Sequence, residues 1–148
     1  MSYDSDRAIK MARYVIRRYD TRDPWRLITR LPNIAVKTID LGSNIQGYSL
    51  ISRRMSVINL NERMNEQETT DVLAHEIGHS LLTRDTSTNY FYKNASKAHI
   101  GSSEYIANSF MFQFIFGDRG DINPLNRMKI IEDHGLPTWM TEYFDIIK

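Results

Sequence analysis

The chain has 148 residues, 41% hydrophobic and 25% charged, and its 19 basic and 18 acidic side chains leave a formal net charge of +1. That size supports one domain with a modest core, and the near-neutral balance gives no field to draw in a nucleic acid or an anionic membrane. Cysteine is absent, no apolar run approaches the roughly 18 residues of a membrane span, and residues 1–6 lack a basic-then-apolar signal layout, so disulfides and thiolate ligands are excluded and a cytoplasmic protein is expected.

Residues 6–19 predict a helix, because Ala8, Met11, Ala12, Val15, Ile16 and Tyr19 form one apolar stripe. Arg13, Arg17 and Arg18 fall largely off that stripe and read as a solvated face rather than a nucleic-acid contact. Asp23-Pro24 is a helix start, with an N-cap carboxylate and proline at the first helical position. The short helix it opens runs through Leu31 and stops before Pro32. Three strand-like stretches follow at 34–41, 46–52 and 55–60, centred on Val36 and Ile39, on Tyr48, Leu50 and Ile51, and on Val57, Ile58 and Leu60. With turns at 42–44 and 52–54, the simplest arrangement is an antiparallel meander.

Asn65 and Glu68 resemble a capping box opening a helix that runs to about Thr83, its apolar positions being Val72, Leu73, Ile77, Leu81 and Leu82. Residues 90–102 are polar and without period, and read as a loop. Residues 103–116 predict a strongly apolar helix that buries Ile106, Ala107, Phe110, Met111, Phe114 and Ile115. After a break at 117–120, residues 124–134 and 137–147 read as two short helices. The expected class is α+β: a small three-stranded antiparallel sheet packed on the 65–83 helix, with further helices at both ends.

The chemistry sits in His75-Glu76-Ile77-Gly78-His79. On a helix, two histidines four residues apart share one face and can grip one metal ion, with Glu76 beside it to take a proton from water on the metal. This is the pattern of a zinc-dependent hydrolase of the zincin type. Small residues, Ala74 and Gly78, precede each histidine and leave room for a neighbour. Such a site needs a third protein ligand. Glu104 is the best choice, in the first turn of the next helix, with Asn108 one turn on to hydrogen-bond a ligand. His99 and His134 compete for that role, although His134, before Gly135, also suits a helix C-terminus. Tyr90, Tyr92, His99 and Tyr105 all remain open as donors to a reaction oxyanion.

Leu73-Ala74-His75-Glu76-Ile77-Gly78-His79, followed by Glu104-x-x-Ala107-Asn108-x-Phe110, resembles the ImmA/IrrE family of metallopeptidases. Asp23-Pro24, Asp40-Leu41-Gly42, Gly47-Tyr48 and Ile58-Asn59-Leu60-Asn61 are also similar to family positions. The resemblance covers roughly residues 20–116 as the core of one metallopeptidase domain spanning 1–148, with 117–148 a C-terminal helical segment. It implies His75, His79 and Glu104 as zinc ligands and Glu76 as general base. Two features depart from the usual pattern: Thr83 stands where many members carry histidine, and Ser109-Phe110-Met111-Phe112 replaces a small-residue stretch. The implied activity is zinc-dependent endopeptidase action on a specific protein, a helix-turn-helix repressor of a phage or mobile element. The implied protein has no membrane partner and no direct nucleic-acid contact. The alternative from a different class is a metal-stabilised anti-repressor that binds its partner without cutting it.

Overall fold

The computed structural model describes residues 2–83, 89–92, 96–97 and 100–148, with backbone only at 2, 89, 90 and 92. The elements are α1 (Ser2–Tyr19), α2 (Pro24–Ile28), β1 (Ile34–Ile39), β2 (Ile45–Ile51), β3 (Ser56–Asn61), α3 (Glu66–Leu82), β4 (Asn89–Tyr92), α4 (Ser102–Phe116), α5 (Arg127–Asp133) and a C-terminal 3-10 helix (Thr138–Asp145). Among the described residues no helix is long and apolar enough to cross a membrane.

Local signals are realised where they were read. Asp23 caps α2 by accepting from the Trp25 N–H at 2.9 Å, with Pro24 at the first helical position. Asn65 and Glu68 form a complete capping box, Glu68 N–H to Asn65 Oδ1 at 2.8 Å and Asn65 N–H to Glu68 Oε1 at 3.3 Å. That box fixes where α3 begins, and hence which face the histidines take about two turns and more beyond it.

The sheet corrects the expected meander. It is mixed and has four strands in the order β1-β3-β2-β4. β2 and β3 form the expected antiparallel hairpin, but β1 pairs in parallel with β3, Ile34 opposite Ser56 through Ile39 opposite Asn61. The chain from β1 to β2 therefore passes over the end of β3. Five residues reach about 17 Å, enough to step over one strand about 10 Å across. Asn61, the last residue of β3, holds this arch: its amide donates to the Gly42 and Ile45 carbonyls at 2.8 and 2.7 Å, and its carbonyl accepts from the Leu41 N–H at 3.3 Å. Gly42 takes a left-handed φ of +82° in the arch, as a residue without Cβ readily does. An Arg63–Asp40 ion pair at 2.8 Å closes its outer side.

The second correction is β4. Part of the segment read as a loop pairs antiparallel with β2, with Phe91 opposite Gly47 and a register shift between Ile45 and Gly47. β4 and β1 are thus the sheet's edges among the described residues.

α3 lies between this sheet and α4, and α4 packs in turn on α1 and the 3-10 helix. Buried between layers, α4 is apolar all round: Phe110, Phe112 and Phe114 are fully excluded from solvent. The chain beyond α4 joins the same core through Ile130, Ile131, Leu136, Met140, Tyr143 and Phe144. Two glycines permit the close layering. A Cβ at Gly78 would stand 3.1 Å from Phe110, so the room beside His79 is taken by the α4 ring. A Cβ at Gly47 would stand 2.8 Å from Val72 Cγ1 and 3.1 Å from the Asn59 carbonyl oxygen.

The Gly47 contact involves backbone on a central strand, which cannot retreat. Gly47→Ala is expected to destabilise the protein by about 1–3 kcal/mol through overpacking, read as a lower urea midpoint with an unchanged slope.

Candidate metal centre

Residues 75–79 fall inside α3 and are wholly buried, because this stretch faces both the sheet and α4. His75 and His79 stand one turn apart with ring centroids 4.8 Å apart. Glu104, in the first turn of α4, reaches both: its Oε1 lies 2.7 Å from His79 Nε2 and its Oε2 3.1 Å from His75 Nε2. One ligand atom from each of the three residues lies within 4.8 Å of the others, an arrangement that could hold a metal ion. Among the described residues this is the group of that kind, and His134 is not part of it.

The donor set fits a cation on structural grounds. His75 is 0% exposed, yet among the described residues its Nδ1 has no hydrogen-bond partner and its Nε2 meets only the Glu104 carboxylate, at 3.1 Å. A buried polar group left unpaired costs about 1–3 kcal/mol. Two imidazoles and a carboxylate with a converging open side are the N and O donors that suit zinc. Burial alone would raise the Glu104 carboxyl, but the charge and hydrogen bonding of His75 and His79 outweigh it and hold that carboxyl well below the usual range.

Glu76 is placed differently. It is fully buried, and its Oε2 accepts a hydrogen bond from the Ser49 hydroxyl of β2. Among the described residues its Oε1 has no partner. Burial pushes the carboxyl up to about 7, against the lowering influence of His79 and of the Ser49 hydrogen bond, while Glu104 adds to the rise. One oxygen is therefore pinned by the sheet and the other is free for a reacting proton.

The remaining expectations sort by geometry. Asn108 was expected to hydrogen-bond a ligand. Instead its amide donates to the Tyr143 hydroxyl at 3.1 Å, and its Oδ1 has no partner among the described residues. His134, weighed as a ligand or a cap cation, pairs through Nδ1 with Asp71 Oδ2 at 2.7 Å, tying the end of α5 to α3 one turn before His75. Asp71 is almost fully buried, and burial raises its carboxyl despite His134 and Gln67. The Tyr105 ring lies 5.7 Å from the Tyr143 ring. His99 and the side chains of Tyr90 and Tyr92 lie outside the described residues.

Four contributors escaped the sequence reading. Ser49 anchors Glu76, and Thr83 Oγ1 lies 2.7 Å from His79 Nδ1. Phe91 of β4 packs edge-on against His75 with centroids 4.5 Å apart. Tyr143 is buried against Phe112 and receives the Asn108 hydrogen bond; burial raises its hydroxyl pKa, and the charge of Glu104 adds to that rise. Only Thr83 carried a sequence signal, being four residues beyond His79 and so on the same helix face.

Comparison with known proteins bears directly on this centre. The uncharacterized immunity region protein 2 of Bacillus phage phi105 is 30% identical over 104 residues, which is 70% of this chain and 65% of the phage protein. The chain thus spans slightly less than two thirds of that relative. The peptidase family model described as the IrrE N-terminal-like domain matches residues 30–143, which takes in the HExxH helix, Glu104 and the segment after α4. The chain belongs to the ImmA/IrrE family of peptidases.

Proposed function

We propose that the protein is a zinc-dependent endopeptidase that hydrolyses a bond in one specific protein substrate, a helix-turn-helix repressor of a phage or mobile element. The observation that carries the enzymatic part is the pairing of a three-donor group, His75, His79 and Glu104, with a buried carboxylate that keeps one oxygen free. The phage immunity-region relative supports the regulatory setting. The whole chain acts as one domain, since the C-terminal helices contribute to the core around α4.

In this reading His75 Nε2, His79 Nε2 and one Glu104 oxygen hold the ion. Bound zinc acidifies water and polarises the scissile carbonyl. Glu76 takes the proton of the attacking water on Oε1 and returns it to the leaving amine, while Ser49 holds its other oxygen. α3 is screened from bulk water by the sheet and α4, so the charges act in a low dielectric.

The substrate segment is read as extended and pairing with the edge of β4 that is unpaired among the described residues, β4 being the strand whose Phe91 touches His75. In a complex of the Glu76→Gln protein with its substrate, the cleaved segment should lie as a fifth strand beside β4. A segment bound away from that edge rejects this docking mode.

Glu76→Gln is expected to retain one zinc per chain and lose about 10²–10⁴-fold in cleavage rate. Zinc content by mass spectrometry and incubation with the repressor encoded beside the gene measure both. If wild type and variant bind zinc and neither cuts, the protein is a binding anti-repressor; if both cut equally, Glu76 is not the base.

The base must be deprotonated to act, so kcat/KM should fall with falling pH along an acid limb. A cation at the three ligands lowers the Glu76 carboxyl from its metal-free position near 7, which puts the midpoint of that limb below 7. An acid limb centred above 7 contradicts the assignment.

A further inference from the structure

Of the polar groups at the metal centre, the outer nitrogen of His79 has the most directional environment. Thr83 is the C-cap residue of α3, and its backbone N–H donates to the His79 carbonyl at 2.9 Å. Its hydroxyl donates to the same carbonyl at 3.2 Å. With that proton committed, the hydroxyl oxygen can only accept from His79 Nδ1, 2.7 Å away. His79 therefore carries a proton on Nδ1. The Glu104 carboxylate, 2.7 Å from Nε2, can only accept, so Nε2 donates to it here, and an ion that displaces that hydrogen meets the Nε2 lone pair while Nδ1 keeps its own. Were Nδ1 the acceptor, the hydrogen on Nε2 would be the ring's only one, and Nε2 could not be given to a metal without moving it to Nδ1. His75 has no corresponding partner: its Nδ1 is unpaired among the described residues. Of the two histidines, His79 is thus the one whose outer nitrogen is fixed by a hydrogen bond among the described residues.

We infer that Thr83 is a positioning residue for the metal: through the helix C-cap it selects the Nε2-donating tautomer of His79 and thereby sets zinc affinity. The inference rests on the reading of His75, His79 and Glu104 as a zinc site. It assigns a role to a position where the sequence departs from its family, and it predicts that a hydroxyl, not merely a side chain of that volume, is required there. Thr83→Val keeps the shape and removes the acceptor; Thr83→Ser keeps the acceptor and removes a methyl group.

The test is the zinc dissociation constant of the full chain, measured by competition with a chromophoric chelator at pH 7.5. Thermal unfolding of each protein in excess chelator is the control for the fold. Thr83→Val should bind zinc about 10–100-fold more weakly than wild type, in line with the loss of other outer hydrogen bonds to metal-bound histidines. Thr83→Ser should lie within about threefold of wild type, as the principle ties affinity to the hydrogen bond and not to the methyl group. In the zinc-loaded wild type, long-range ¹⁵N–¹H spectra should show His79 protonated at Nδ1. Where Thr83→Val unfolds without metal, Thr83→Ala replaces it with the same expectation. Valine or alanine variants that bind as tightly as wild type, or a His79 protonated at Nε2, overturn the inference while leaving the zinc site standing. A wild type that binds no zinc overturns both.

Discussion

Glu104 bridges two histidines that have no access to water, and the bridge joins the two helices at the centre of the molecule. Burying two imidazoles and a carboxylate within about one turn of helix is costly unless each finds a polar or charged partner. Only a carboxylate from outside α3 can supply that, and α4 has to pass close enough to deliver it. The glycine at 78 makes this possible, because the Phe110 ring of α4 occupies the space a side chain would fill. The aromatic density of α4 serves the same end: a helix buried on every side holds Glu104 at one position along the α3 axis.

The sheet supplies what the helices cannot. Ser49 reaches Glu76 from β2, and Phe91 meets His75 from β4. Both depend on β2 being an interior strand with β4 outside it, which follows from the arch that Asn61 ties across the end of β3. Had β1 paired with β2 as a meander, β2 would have had β1 and β3 as neighbours and no edge left for β4. A side-chain amide at the end of β3 thus decides which strand runs past the histidines.

What could be read from the sequence was local. The capping box, the Asp23-Pro24 start, the helical register of His75 and His79 and the apolar face containing Phe110 are all set by residues within a turn or two of one another. Strand pairing is not. The apolar alternation of residues 34–41 and 46–52 is compatible with either partner, and the deciding contact is between Asn61 and carbonyls up to 19 residues away. β4 was missed for the same reason: four residues carry too little pattern, and their pairing with β2 is a tertiary event. At the site, the convergence of Glu104 on the two histidines was legible because the HExxH pattern asks for a third donor, whereas Ser49 on a strand 27 residues from Glu76 bore no mark. His134 caps α5, as its place before Gly135 suggested, but its pairing with Asp71, 63 residues away, bore no mark.

Seen from α3, the polar residues of one helix are each secured by a different part of the fold. Asp71 is held by the end of α5, Glu76 by β2, His79 by the helix's own C-cap, and both histidines by α4. The division has a mechanical consequence. A ligand bound between fixed elements loses little entropy when the metal arrives, so affinity is not spent on ordering side chains. Glu76 is the exception, with one oxygen fixed and one free, which is what a group that must accept and then release a proton requires. Under the proposed mechanism α3, rigid at the three-donor group and free at one Glu76 oxygen, would separate holding the ion from moving the proton, although the residues responsible are adjacent in the chain.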